Sequence, residues 1–168
     1  MIYAIATPAA LSAYSAANKS DIPVIFCAVS DPVAAGLTES LEAGYNNCNG
    51  TSDILDFSAQ VDLIQSIQPD VKKIGVLYTT TEANSMSQLE SFKAVCTEKG
   101  IEVVDQGVSG AADIPQAATT LASQVDCINN FTDNNVVNNL SIVLEKANAA
   151  NIPVYGSEIE QVKNGCLA

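Results

Sequence analysis

Short apolar runs alternate with helical patterns along most of the chain. Four runs are each followed by a polar or glycine-containing turn and then by a helical segment: IYAIATPAA, IPVIFCAVSDPV, KKIGVLYTTTEANS and VDCINNFTDNN. Two shorter runs are IEVVDQGVS and IPVYGSE. Runs that are apolar on both faces are typical of buried parallel strands. With helices between them, they complete a βαβ rhythm, so the pattern predicts an α/β fold with parallel sheets.

Capping residues place the helices between these strands. Thr7-Pro8 opens the first helix, because proline suits the first helical position. Ser85 caps a helix that continues to about Lys99 and stops at Gly100. Another helix is predicted from Asp113, and a further one from Asn134 or Asn135 to Ala149.

The segment LEAGYNNCNGTSDILD, residues 41–56, interrupts the alternation of strands and helices and predicts a domain boundary. It is rich in Gly, Asn and Ser, and reads as a loop leading to a short strand or crossover. We therefore predict a first α/β module over residues 1–56, a bridging helix over 57–69 that ends at Pro69, and a second module over 70–168.

The charge balance excludes several functions. The 168 residues include 19 acidic and 7 basic side chains, and the formal net charge is −12. All the basic residues are lysines, and the sequence contains no Arg, His or Trp. An acidic surface without arginine argues against nucleic-acid binding. Without histidine, a serine triad of the usual kind is excluded.

Neither the cysteines nor the glycines indicate a cofactor. The cysteines have no CxxC spacing, which favours small buried hydrophobic side chains over a zinc or redox site; they are Cys27, Cys48, Cys96, Cys127 and Cys166. No phosphate-binding glycine motif is present. No apolar run approaches a membrane span and the first residues lack a signal-peptide pattern, so we expect a soluble chain with no cofactor.

Small polar residues follow every predicted strand. In an open parallel sheet, ligands bind beyond the carboxyl ends of the strands, so these positions predict a binding site. Its predicted residues are Thr7, Pro8, Ser30, Asp31, Tyr78, Thr79, Thr80, Glu82, Asn84, Ser85, Thr132, Asp133, Asn134, Ser157 and Glu158. The alternative is that these residues are ordinary helix caps, which draw on the same residue types.

The predicted site has carboxylates and hydroxyls but no cation. A ligand anion would therefore bind backbone amides at the helix starts near Thr7, Asn84 and Asn134. A ligand amine would meet one of the carboxylates, and Tyr78 would stack on a flat group. The available carboxylates are Asp31, Asp133 and Glu158, for which a metal cluster is the alternative.

Six blocks in order along the chain resemble a known family. They are AIATPAALSA, DIPVIFCAVSDPVAAGL, KKIGVLYTTTEANS, DIPQAATTLASQVDCI, FTDNN and NIPVYGSEIEQVKNGCLA. Together they resemble the periplasmic solute-binding components of a bacterial ABC importer family that includes tryptophan- and tyrosine-binding members. The resemblance implies a type I fold, in which two Rossmann-like α/β lobes joined by crossovers close on a small ligand.

By resemblance, the cleft has residues from both lobes. The first lobe would supply Thr7, Pro8, Ala9 and Asp31, and the second Tyr78, Glu82, Asn84, Ser85, Asp133, Asn134 and Glu158. Family members carry further βα units before ATPAA and another strand after NGCLA. The resemblance therefore implies a partial first lobe, and a second lobe that includes the start of the return crossover. An incomplete lobe would favour a homodimer or strand exchange.

The function implied by the resemblance is that of a non-enzymatic solute receptor. It would bind a small ligand, an aromatic amino acid as first choice, and present it to an ABC permease outside the cytoplasm, as a periplasmic protein or a cell-surface lipoprotein. A ligand-sensing regulatory domain of the same fold is the alternative. A hydrolase or transferase would need a nucleophile and base, but the sequence has neither a histidine nor a GxSxG elbow.

Overall fold

The chain forms two compact units in a computed structural model that describes residues 1–18 and 20–168. Unit 1 comprises Met1–Leu55 and Glu82–Ser87, and unit 2 comprises Asp56–Thr81 and Gln88–Ala168. Each unit has its own parallel sheet, so the predicted α/β class is confirmed.

Unit 1 has a three-stranded parallel sheet in the order β1-β2-β3. The strands are β1 (Ile2–Ile5), β2 (Val24–Val29) and β3 (Cys48–Ser52), and helix α1 (Thr7–Ala17) follows β1. The core lies between α1 and one sheet face, where Ala10 packs with Val24 and Phe26. On the opposite face of the sheet, Tyr3 and Ile5 of β1 are 59% and 61% exposed.

Unit 2 has a four-stranded parallel sheet in the order β5-β4-β6-β7. The strands are β4 (Lys73–Thr79), β5 (Glu102–Val108), β6 (Cys127–Asn130) and β7 (Val154–Gly156). The helices are α2 (Phe57–Ile67), α3 (Ala83–Glu98), α4 (Ile114–Ala122), α5 (Asn134–Asn138), α6 (Leu140–Ala149) and α7 (Ile159–Lys163), with a 3-10 turn at Ala111–Asp113 before α4. The first turn of α3 belongs to unit 1 and the remainder to unit 2.

Both faces of the unit 2 sheet are covered. On one face, Leu121 of α4 and Val143 of α6 pack with Leu77 and Ile128. A side chain at Gly75 would lie 2.9 Å from Leu121, so glycine allows α4 to approach the sheet closely. A second cluster, formed by the rings of Phe57, Phe92 and Phe131, has centroid distances of 5.4 Å. Aromatic pairs at such distances add stability beyond their buried area.

Two helices differ from the predicted bounds. α3 begins at Ala83, two residues before the predicted cap at Ser85. The helix predicted to run unbroken to Ala149 divides at Asn139, where φ is −117° and ψ is 21°. The Asn139 side chain donates to the Asn135 carbonyl at 2.8 Å, which gives the backbone a local alternative to helix continuation. Among the described residues, no helix combines the length and apolarity needed to cross a membrane.

Cys27 differs from the prediction that the cysteines are buried. It is half-buried, whereas the other cysteines are buried, and all are free thiols. Hydrogen bonds to the thiolate, first from Tyr3 and then from Thr51, lower the pKa of Cys27. Burial raises the pKa of Cys96 and Cys127 to about 12 and that of Cys166 to about 11. Cys27 is therefore the cysteine best suited to react as a thiolate.

We expect Cys27 to be labelled first when native protein is treated with a thiol reagent near neutral pH. Peptide mass spectrometry after brief labelling would identify the modified residue. Tyr3→Phe should slow the reaction, because the substitution removes the leading hydrogen bond to the thiolate. Denatured protein, in which every cysteine is accessible, is the control. Faster labelling of Cys96 or Cys127 would contradict this assignment.

Candidate functional site

Three predicted site residues of unit 1 lie at the carboxyl ends of two neighbouring strands. Because β1 and β2 are parallel, Thr7, Ser30 and Asp31 share one edge of the sheet. The chain turns sharply at Ala6, where φ is 70°, and α1 begins at Thr7, followed by the exposed Pro8 and Ala9. The Thr7 hydroxyl is buried and has no hydrogen-bond partner among the described residues. This edge therefore combines a helix start with an available hydroxyl.

Asp31 has both carboxylate oxygens engaged in unit 1. Oδ1 accepts a hydrogen bond from the Ala34 amide at 2.9 Å, and Oδ2 accepts one from the Ser87 hydroxyl at 2.8 Å. Each oxygen retains a further lone pair, since an ionised carboxylate accepts about four hydrogen bonds. The carboxylate is thereby oriented while keeping acceptor capacity.

Three more predicted residues of unit 1 lie at the start of α3, with Glu82 just before the helix and Asn84 and Ser85 in its first turn. Asn84 and Ser85 are buried, and the Asn84 side chain donates to a Glu82 carboxylate oxygen at 3.3 Å. Because α3 is 16 residues long, its first-turn amides lie at the positive end of a substantial helix dipole. The turn therefore brings polar side chains together with backbone donors.

Tyr78 and Thr80 lie at the end of β4 in unit 2, beside strand β5. Tyr78 pairs in register with Gly107, and a side chain at Gly107 would lie 3.2 Å from the Tyr78 hydroxyl. It would lie closer still to Thr80, at 2.7 Å from Cγ2, so glycine at this position leaves room for both side chains. The Thr80 hydroxyl donates to the Val108 carbonyl at 3.2 Å, which ties the loop after β4 to the end of β5.

Asp133 is completely buried and joins two elements of unit 2. One carboxylate oxygen accepts from the Thr79 amide at 2.6 Å, and the other accepts from the Thr79 hydroxyl at 2.8 Å and the Val136 amide at 2.9 Å. The last contact caps α5, which begins at Asn134. These bonds fix the loop after β6 against the end of β4.

The residues after β6 and β7 contact carboxamide side chains. Thr132 accepts a hydrogen bond from Gln88 at 2.7 Å. Ser157 donates to the Asn130 carbonyl at 2.7 Å and accepts from Gln60 at 2.9 Å. Both carboxylate oxygens of Glu158 accept amides of α7, at 2.8 and 2.9 Å, so Glu158 is the cap of that helix.

The expectation that binding residues directly follow strands does not identify these amide and hydroxyl partners, since most of them lie within helices. They are Gln60, Ser87, Gln88, Asn130 and Gln161. One signal is present in the sequence: CINN, residues 127–130, ends in two asparagines although every residue of the strand is buried. Buried amides inside a strand need partners, and Asn130 has one in the buried Gln161, at 3.1 Å.

The predicted site residues include carboxylates but no lysine. The five ion pairs found in the described residues lie elsewhere, at Lys73–Glu102, Lys93–Asp105, Lys99–Asp62, Lys146–Glu145 and Lys163–Glu160. Within residues 1–18 and 20–168, no group of three or more His, Cys, Asp or Glu side chains is arranged to hold a metal ion. The alternative of a metal cluster at Asp31, Asp133 and Glu158 therefore gains no support.

Comparisons with known proteins agree on one family. A model of the ABC transporter substrate binding protein family matches residues 1–168. The chain is 42% identical over 168 residues to a tyrosine-binding protein of Clostridioides difficile, covering all of this chain and 48% of that protein.

Two solved structures are similar to the chain. One is the ABC domain in complex with L-Trp from Streptococcus pneumonia, with a TM-score of 0.94, 35% identity, and coverage of 99% of this chain and 57% of that one. The other is a conserved domain protein from Vibrio cholerae, with a TM-score of 0.93, 36% identity, and coverage of 98% and 55%.

The chain spans about half the length of these relatives. The family match nonetheless extends over every residue of the sequence, and the parallel α/β sheets agree with it. The chain therefore belongs to the family of ABC transporter substrate-binding proteins.

Proposed function

We propose that this chain is the solute-binding component of an ABC importer and that its ligand is an aromatic amino acid. The observation that carries the proposal is the family match over the whole chain, together with a tyrosine-binding relative and a tryptophan-bound structural neighbour. The polar strand ends suit a zwitterion, because their carboxylates can bind the ligand amine and the helix starts can bind the ligand carboxylate without a lysine or arginine. The chain acts by binding and is not an enzyme.

The ligand carboxylate is proposed to bind backbone amides at helix starts, because the predicted site has no lysine or arginine to bind it. The first turns of α1 and α3, at Thr7 to Ala9 and at Asn84–Ser85, offer such amides. The ligand amine pairs with Asp31, and Tyr78 contacts the aromatic ring. The remaining predicted residues, Ser30, Thr80, Glu82, Thr132, Asp133, Asn134, Ser157 and Glu158, line or position this site.

The proposed architecture is the type I binding-protein fold. Residues 1–56 form part of a first lobe, 57–69 a crossover helix, and 70–168 a second lobe with the start of the return crossover. The ligand occupies a cleft between the lobes, and the ligand-bound form is recognised by a membrane permease. The protein acts outside the cytoplasm, in the periplasm or as a cell-surface lipoprotein.

Ligand screening tests the proposal. Purified protein is titrated with each common amino acid and with nucleosides, and binding is followed by thermal shift and isothermal calorimetry. L-Tyrosine or L-tryptophan is expected to raise the melting temperature, because a ligand that binds only the folded state stabilises it. If no amino acid binds while a nucleoside or another solute does, the assignment to amino acids is wrong.

We also propose that two copies of the chain pair through the edge of the unit 1 sheet. In the described residues β1 pairs only with β2, which leaves its other edge without a partner strand. Residues 1–18 contain no charged side chain, in a chain of net charge −12. Edge strands are usually protected by charges, so this neutral edge favours pairing with a second copy.

Introducing a charged side chain on β1 is expected to convert the proposed dimer to a monomer. Ile5→Lys places a cation on the edge strand β1, and charged side chains on an edge strand oppose pairing with a further strand. Size-exclusion chromatography with light scattering would compare it with the native protein and with Leu41→Lys, a matched substitution at an exposed position outside the sheet. A native protein that is monomeric at all concentrations would overturn the proposal.

A further inference from the structure

We infer that Ser87 is a positioning residue that orients the carboxylate of Asp31 for a ligand amine. The inference rests on the proposed function and assigns a role to a side chain that does not follow a strand. The Ser87 hydroxyl donates to Asp31 Oδ2 at 2.8 Å. Both residues belong to unit 1, and both are half-buried.

The direction of the Ser87 hydroxyl is unusual for this chain. Serine and threonine within helices commonly donate to the carbonyl four residues earlier. Ser12, Thr97, Thr119 and Thr120 all do so, at distances of 2.7 to 3.0 Å. Ser87 lies one turn into α3, yet its hydrogen bond goes to Asp31, 56 residues away in the sequence. A hydroxyl has a single proton, so this contact replaces the local one.

The contact completes a two-point support for the Asp31 carboxylate. The Ala34 amide holds Oδ1 at 2.9 Å, so together with Ser87 each oxygen has one fixed donor. Without Ser87, the carboxyl group would rotate about its terminal torsion, which is broad for aspartate. With both donors in place, the remaining lone pairs point in fixed directions. A ligand ammonium then meets an acceptor that needs no reordering, which is how preorganisation increases affinity.

Removing the Ser87 hydroxyl is expected to weaken the binding of ligands that carry an amine more than the binding of ligands that lack one. Removing the hydroxyl weakens one charge-assisted interaction and leaves every contact with the rest of the ligand unchanged. We expect Ser87→Ala to weaken binding of L-tyrosine or L-tryptophan about tenfold, the scale of one hydrogen bond to a charged group. The corresponding deamino acids, which have the same ring and carboxylate, should lose less than about twofold, since they make no contact with Asp31.

Isothermal calorimetry with these four ligands tests the inference on the native chain, Ser87→Ala, Ser87→Thr and Ser91→Ala. Threonine keeps a hydroxyl and should restore most of the affinity. Ser91 lies one turn further along α3 and is exposed, so its substitution is the matched control and should have no effect.

Each outcome has a defined meaning for the inference. Loss confined to the amino acids, with rescue by threonine, supports the role of Ser87. Equal losses for amino acids and deamino acids would show a purely structural role and overturn it, as would unchanged affinity in Ser87→Ala. If the native chain binds none of the four ligands, the aromatic amino acid function fails and the inference falls with it.

Discussion

Replacing Asp133 with alanine is expected to lower the free energy of unfolding by about 3–4 kcal/mol, the cost of leaving several buried donors unpaired and losing a helix cap. The side chain is completely buried, and its carboxylate accepts bonds from the Thr79 amide, the Thr79 hydroxyl and the Val136 amide. Alanine provides no acceptor for any of them. Water cannot replace the carboxylate without entering the interior of unit 2.

Urea denaturation followed by circular dichroism measures this change. The midpoint should fall while the slope with denaturant stays constant, because the area exposed on unfolding is unchanged. Asp133→Asn keeps one acceptor oxygen and should lose about half as much stability. If Asp133→Ala is too unstable to purify, the asparagine variant still tests the prediction.

Asp113 provides the matched control for Asp133. It is also an aspartate just before a helix, α4, but it is exposed and its carboxylate accepts one amide, that of Ser109, at 3.0 Å. Asp113→Ala should cost about 0.5–1 kcal/mol, as for a single exposed hydrogen bond. Equal losses of stability at the two positions would show that the buried hydrogen bonds of Asp133 between β4 and α5 contribute no more than a single exposed bond.

Strands β2 and β4 were predictable because each is a short, nearly continuous apolar run, whereas β3, with the sequence CNGTS, is mostly polar. IGVLY became part of β4 and FCAV part of β2, since buried parallel strands require apolar residues on both faces. The break at Asn139 was not predictable from periodicity, because Leu140 and Val143 continue the helical spacing across it. At the break the Asn139 side chain takes the Asn135 carbonyl while the Asn139 amide donates to the Val136 carbonyl at 3.0 Å, and periodic patterns do not carry such information.

The polar strand ends were visible in the sequence, but their partners were not. Asp133 follows a strand and precedes a helix, so its place at the start of α5 could be anticipated. Its bonds to Thr79 depend on which strands are neighbours in the sheet. The order β5-β4-β6-β7 cannot be predicted from the local pattern of apolar and polar residues. Ser87 was missed for the same reason, because its role depends on a residue from a distant part of the chain.

Replacing Asn84 and Ser85 together with alanine is expected to weaken binding of an aromatic amino acid about a hundredfold, the sum of two lost hydrogen bonds at about 1–1.5 kcal/mol each. Both side chains are buried in the first turn of α3, where the proposed anion site lies. The backbone amides stay in place, so some affinity for the ligand carboxylate should remain. Alanine is a strong helix former, so the helix itself should persist.

Calorimetric titration with L-tyrosine and L-tryptophan measures the affinity change, and far-ultraviolet circular dichroism verifies the fold. The control is Ser141→Ala with Asn148→Ala, the same pair of substitutions at exposed positions of α6. A comparable loss in the control would point to general destabilisation of the chain. Unchanged affinity in the Asn84–Ser85 variant would remove the start of α3 from the binding site and leave α1, at Thr7 to Ala9, as the proposed anion-binding helix start.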